Sequence, residues 1–147
     1  MNSTNDNYLD LFDSKEKAIY HAQWLNFKYR IANIPFGVIK FKNQFAVLEH
    51  ITACEMNVEL LDVLPEDLSE ITYDDVRHIR MDRDPLPHWG KITGMFSVMD
   101  GEILRYILES KIPLEKMIRF ELAGRGFDKN HRWCGFEKAQ EIWLTDK

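Results

Sequence analysis

Between Ser97 and Leu144 three runs of helical periodicity follow one another with explicit stops between them, and this stretch constrains the fold most. The first run begins at Ser97 or Asp100, where Ser97 followed by Asp100 approximates a capping box, and ends near Ser110. Ile103, Leu104, Ile107 and Leu108 fall on one face of it. Pro113 suits the first position of the second helix, where its missing N–H costs nothing. Leu114, Met117, Ile118 and Leu122 form the expected buried stripe, with Ile118 fully enclosed and Glu115 and Arg119 on a wetter face. Gly124 reads as the residue that closes this helix. A polar loop from Phe127 to Trp133 then leads into a third helix, from about Phe136 to Leu144, with Phe136, Ala139 and Trp143 on one side.

The earlier part of the chain supplies material to pack around such helices. Residues 1–8 read as a disordered tail, with Leu9, Leu11 and Phe12 docking ahead of the first helix. That helix is expected from Asp13-Ser14, capped by Asp13 with Glu16, to about Ala32, with Ala18, Ala22, Leu25, Tyr29 and Ala32 on one face. Asn33-Ile34-Pro35 ends it, because the residue before a proline is pushed away from helical angles. Phe36–Lys42 and Phe45–His50 flank Asn43-Gln44 and predict an antiparallel hairpin whose first strand has a wet face at Lys40 and Lys42. Met56–Leu64 reads equally as strand or helix, and Pro65–Leu68 as a short helical turn. Thr72 with Asp75 caps a helix through Val76 and Ile79. Asp84-Pro85-Leu86-Pro87 is an ordered loop, and Trp89–Phe96 is expected to be extended, with Ile92 and Phe96 inward.

Composition narrows the class. A chain of 147 residues, 45% hydrophobic and 12% aromatic, is long enough to bury a globular core, about 70% of its unfolded surface. Residues 9–147 are expected to form one domain. No polar-to-apolar leader pattern opens the chain and no apolar run approaches the length of a membrane helix, so the expected compartment is the cytoplasm and no membrane association is expected. Cys54 and Cys134 stand 80 positions apart without a Cys-x-x-Cys spacing, which suits two reduced, mostly buried thiols.

Charge is unevenly distributed. From Glu49 to Asp84 eleven carboxylates stand against three arginines, a local net of −8 in a chain of −5. This polarity suits steering toward a charged protein partner or self-association, whereas an acidic run is also the ordinary composition of a solvated face.

The most unusual local composition is Arg77-His78-Ile79-Arg80-Met81-Asp82-Arg83-Asp84-Pro85-Leu86-Pro87-His88-Trp89. Arg77, His78, Arg80, Asp82, Arg83, His88 and Trp89 are therefore the candidate binding residues. Alternating arginine and aspartate most simply form an internal ion-pair network. Free guanidinium groups would instead grip an anion through bidentate hydrogen bonds. Two histidines and two carboxylates could ligate a metal, but the spacing matches no recognised cluster, and neither a metal nor a cofactor is assigned. His50-Ile51-Thr52 has the His-x-Thr form of two-histidine phosphoesterases without the second motif that chemistry needs. Cys134 would need His131 as a base to act as a nucleophile, so no catalytic residue is assigned. Residues 104–132 also fit a helix-turn-helix, but seven basic residues against four acidic ones make a weak field for DNA, and nucleic acid is disfavoured.

The sequence thus predicts an α+β fold: an N-terminal helix, a small antiparallel sheet with a hairpin, and a three-helix C-terminal half packed on it. Its expected role is a non-catalytic intracellular binding or regulatory protein acting through protein–protein contacts. The alternatives are a small enzyme with a site near Arg77–Trp89 and a nucleic-acid binder using residues 104–132.

Overall fold

The computed structural model describes residues 10–61 and 64–145, so the tail expected over residues 1–8 lies outside the described residues. The architecture is α+β, with seven helices and a three-stranded antiparallel sheet among the described residues. The chain divides into two compact units, one ending at Thr93 and one beginning at Gly94.

In the N-terminal unit the sheet comprises β1 (Asp10–Phe12), β2 (Phe36–Phe41) and β3 (Gln44–Glu49), in the order β1-β3-β2. Asp10–Phe12 therefore pair along β3 as a strand rather than docking loosely, with Leu11 opposite Ala46. The hairpin is present, but its turn is Lys42-Asn43, one residue earlier than expected, because Lys42 takes the positive φ of 59° that the reversal needs. Val38 sits opposite Val47 and packs with Ala18 and Ala22 of α1 (Lys15–Lys28) in one cluster. Ile39, Ala46 and Leu48 point to the other side and pack with Ala53 of α2 (His50–Glu55). Both faces are thus covered at the sheet centre, and the wet face read from Lys40 and Lys42 is confined to the hairpin end.

The helix boundaries follow local hydrogen bonding. Ser14, not Asp13, caps α1, its Oγ accepting from the Lys17 N–H at 3.2 Å, while Asp13 accepts from the Gln44 side chain. The helix stops at Lys28 rather than near Ala32. Asn26 then brackets Phe36, accepting its N–H at 2.7 Å and donating to its carbonyl at 3.3 Å. That clamp requires the chain to reverse early, through Asn33 at φ 56°. Residues 56–61 form neither the strand nor the helix considered for them, and Pro65–Leu68 is bent but not helical. The helix instead precedes them as α2, and Asn57 at φ 58° turns the chain out of it.

Thr72 and Asp75 form a reciprocal capping box at the start of α3 (Tyr73–Met81). Pro87–Ser97 is a helix, α4, and not the extended segment expected. Pro87 is pre-set for a first helical position, and the Gly90 N–H donates to Leu86 carbonyl at 2.9 Å. Ile92 and Phe96 are accordingly exposed rather than inward.

The C-terminal unit contains α5 (Gly101–Glu109), α6 (Leu114–Arg125) and α7 (Phe136–Trp143). Asp100 caps α5, accepting from Glu102 N–H at 2.6 Å, while Ser97 belongs to the end of α4. Pro113 is the N-cap of α6 and not its first residue. The expected buried stripe of α6 is out of phase. Ile118 is 59% exposed, whereas Ala123 is buried, and α7 is the helix that packs on α6. Gly126, not Gly124, closes α6 at φ 80°, and a Cβ there would collide with the Trp133 ring. Its carbonyl accepts from Cys134 and Gly135 N–H groups, and the Trp143 indole N–H donates to Phe127 carbonyl at 2.8 Å. These bonds fasten α7 to the end of α6. The anticipated aromatic anchors of the intervening loop, Phe127 and Trp133, form an isolated antiparallel bridge and an edge-to-face pair.

Val47→Ala removes two methyl groups from the sheet centre and is expected to lower stability by about 2 kcal/mol in chemical denaturation. Gly126→Ala is expected to cost more than about 1 kcal/mol, through both its left-handed backbone and the Trp133 collision.

Candidate functional site

Arg77–Trp89 spans the last turns of α3, the proline-bounded loop and the first turn of α4. With β1 and the first half of α1 it walls a cleft of about 790 Å³ inside the N-terminal unit. Lys17, Tyr20 and His21 reach it from one face of α1, as their three- and four-residue spacing dictates. Asp10 and Phe12 come from β1, Arg77 and His78 from α3, Asp82 and Asp84 from the loop, and Trp89 from α4.

Lys17 ties the loop to the helix. Its Nζ lies 2.8 Å from Asp82 Oδ2 and donates to the Asp84 carbonyl at 2.6 Å. Asp82 Oδ1 in turn accepts the Asp84 N–H at 2.9 Å. The Lys17 hydrogen bond, followed by that N–H, holds the Asp82 carboxyl below its ordinary pKa. Toward β1, His21 Nε2 is 2.9 Å from Asp10 Oδ2, and its ring packs 5.2 Å from Phe12. Tyr20 meets Trp89 edge to face at 5.8 Å. Burial, with Asp75 and Glu16 adding to it, pushes the Tyr20 phenol up, so it stays protonated and retains a donor.

Of the seven residues singled out by sequence, the cleft gathers Arg77, His78, Asp82 and Trp89. Arg80 and Arg83 are exposed and do not wall it, and neither has a carboxylate within ion-pair distance among the described residues. The alternating ion-pair network does not form. Arg77 pairs with Asp74 one turn earlier, and Asp82 with Lys17. His88 turns away from the cleft and stacks on Trp24 at 4.9 Å with ring planes 7° apart. Burial, and secondarily His21, push the His88 imidazole below its ordinary pKa.

The cleft is acidic and carries uncommitted polar groups. Asp10, Asp13, Glu16, Asp82 and Asp84 line it against Lys17 and Arg77, and both of those cations are already paired. The buried Trp89 Nε1 and His21 Nδ1 have no hydrogen-bond partner. A buried donor left in this way loses its hydration without recompense, a local cost that the fold carries at Trp89. Asp10, Glu16, Lys17, Tyr20 and His21 were not among the sequence candidates. The helical spacing of the four on α1 was legible, but the long-range contacts that bring them to β1 and the loop were not.

The other chemical readings find less support in the geometry. No three His, Cys, Asp or Glu side chains converge with metal-site geometry among the described residues. His50 opens α2 instead of ending a strand, and its N–H donates to Pro35 carbonyl. His131 packs at a tilt against Phe127, while Cys134 Sγ is 3.7 Å from Gly135 carbonyl. Both cysteines are free, and Cys54 is exposed rather than buried. In residues 104–132, Arg105, Arg119 and Arg125 each pair with a glutamate on their own helix, which reduces the positive charge available to a phosphate backbone. Among the described residues no helix is long and apolar enough to cross a membrane.

Comparison of the chain with protein-family models, with curated proteins and with solved structures finds no match.

His88 gives a pH signature. Its folded pKa lies below the ordinary 6.5, so the unfolded chain binds the proton more readily. The contribution of His88 is complete above 6.5 and is lost as pH falls through the folded value. The melting temperature is expected to drop as pH is lowered just below 6.5, and His88→Phe is expected to flatten that drop.

Proposed function

We propose that this chain is a non-catalytic binding protein of the cytoplasm whose N-terminal unit holds a basic peptide segment of a protein partner in the acidic cleft. The observation that carries this reading is the acidic lining, in which Asp10, Asp13, Glu16, Asp82 and Asp84 stand against two cations that are already paired. A peptide supplies what that lining lacks, a lysine or arginine for the carboxylates. Tyr20, Phe12 and Trp89 add aromatic surface on which a cationic side chain gains further attraction. Asp84 is a suitable anchor because its carboxylate makes no hydrogen bond or ion pair among the described residues, although its backbone is fixed by Lys17. Two free thiols, one of them exposed, suit the reducing cytoplasm.

A second reading rests on His21 and Asp10. A carboxylate that orients an imidazole at a cleft wall is the arrangement of a general base, and would make the same cleft an enzyme site. Binding is preferred because the cleft wall offers this pair no nucleophile with an established hydrogen bond to His21 among the described residues.

Titration with a short lysine- and arginine-rich peptide, followed through the Trp89 indole N–H resonance, tests the proposal. The resonance is expected to shift with the basic peptide and not with an acidic one of equal length. Asp84→Asn combined with Glu16→Gln is expected to weaken binding roughly tenfold at low salt, from about 0.7 kcal/mol per rim charge, and less as salt rises. An unmoved Trp89 resonance at saturating peptide would refute it.

A further inference from the structure

The first turn of α4 is held to α1 by rings. His88 lies flat on Trp24, with centroids 4.9 Å apart and planes 7° from parallel, and Trp89 meets Tyr20 edge to face at 5.8 Å. Tyr20 and Trp24 stand four residues apart on α1, so consecutive residues of α4 contact successive turns of one helix face. Leu86 is buried just before them, and Trp89 walls the cleft.

One member of this contact can acquire a charge that its surroundings do not accommodate. His88 Nδ1 is buried and has no hydrogen-bond partner. A neutral imidazole tolerates that, because its one proton can sit on Nε2 and leave Nδ1 a lone pair. The second proton of an imidazolium must go to Nδ1, where it becomes a buried, charged donor without an acceptor. A cation is attracted to an indole face, but that attraction replaces neither the lost hydration nor the missing acceptor at Nδ1.

The charged groups of the neighbouring elements do not offset this. On α1, His21, which pairs with Asp10 of β1 at 2.9 Å, opposes a charge on His88. Lys17 of α1 and Asp82 of the loop are committed to one another. Among the described residues neither Asp84 in the loop nor any other carboxylate pairs with His88, and its own helix contributes only the like charge of Lys91.

We propose that His88 is an acid-release latch on the cleft wall: taking up a proton frees the first turn of α4 from α1 and withdraws Trp89 from Tyr20. The device belongs to the wall itself and holds whatever the cleft binds. Amide exchange of the full, peptide-free chain tests it at Gly90, whose N–H donates to the Leu86 carbonyl across this turn at 2.9 Å. Protection relative to the intrinsic rate is expected to fall roughly fivefold between about pH 7.5 and about pH 5. The opening is local, so exchange at Gly90 is expected to respond little to low urea, whereas that of Val47 at the sheet centre responds strongly. His88→Phe keeps a flat ring against Trp24 without a titrating nitrogen, and is expected to abolish the pH dependence at Gly90. Protection at Gly90 that is constant across this range, that falls equally in His88→Phe, or that shows the urea dependence of Val47 would each overturn the proposal.

Discussion

Ala18 and Ala22, both fully buried, let α1 lie close against Val38 and Val47, and most of the N-terminal unit depends on that contact. Side chains of this size admit the helix to the sheet without forcing the strands apart, and Asn26 locks the approach by bonding both backbone groups of Phe36. Once α1 is placed, the face beside its alanines is placed as well. Lys17, Tyr20 and His21 then stand where β1 and the 82–89 loop can reach them. The cleft is thus a by-product of the packing, and its geometry is only as firm as the helix–sheet contact beneath it.

The loop side of the cleft is held differently. A single ammonium group, that of Lys17, holds both Asp82 and the Asp84 carbonyl, the latter 67 positions away in sequence, while few apolar side chains support the segment. Leu86 is its buried foothold. Ion pairs with partly exposed members contribute little free energy, so the loop is positioned more by the stiffness of Pro85 and Pro87 than by the strength of its anchor. This explains why an unusual composition of arginines and aspartates did not become a self-contained network: each charged group found its partner on another turn or another element, or none.

Much of the fold was legible because local signals coincide with tertiary demands. The hairpin, the Thr72–Asp75 cap and the helical content after Asp100 all follow from period, capping chemistry or turn residues. Pro87–Ser97 was misread because Gly90 and Gly94 dilute its helical spacing, whereas Pro87 supplies the start. The phase of α6 was misread for another reason. Sequence marks Ile118 and Met117 as apolar, but burial depends on the neighbour, and the side of α6 that is enclosed bears Ala123. In the site, Arg77, His78, Asp82 and Trp89 were legible as an odd composition. Asp10, Lys17 and His21 were not, because their partners lie in other elements and ordinary helix surfaces carry the same residue types.

The strand order carries a consequence for the sheet's behaviour in a crowded solution. Open strand edges template pairing with foreign chains, and proteins blunt them by shortening or covering them. Here β3 is central, so both edges belong to other strands. On one side β1 is only three residues long, too brief to seed an intermolecular ladder. On the other, the Leu61 N–H donates to the Val38 carbonyl at 2.7 Å, and Leu60 packs beside it, so an irregular segment occupies the edge of β2. Residues 58–61, which resist any regular assignment, thereby act as a guard against amyloid-like extension of the most hydrophobic strand pair in the chain.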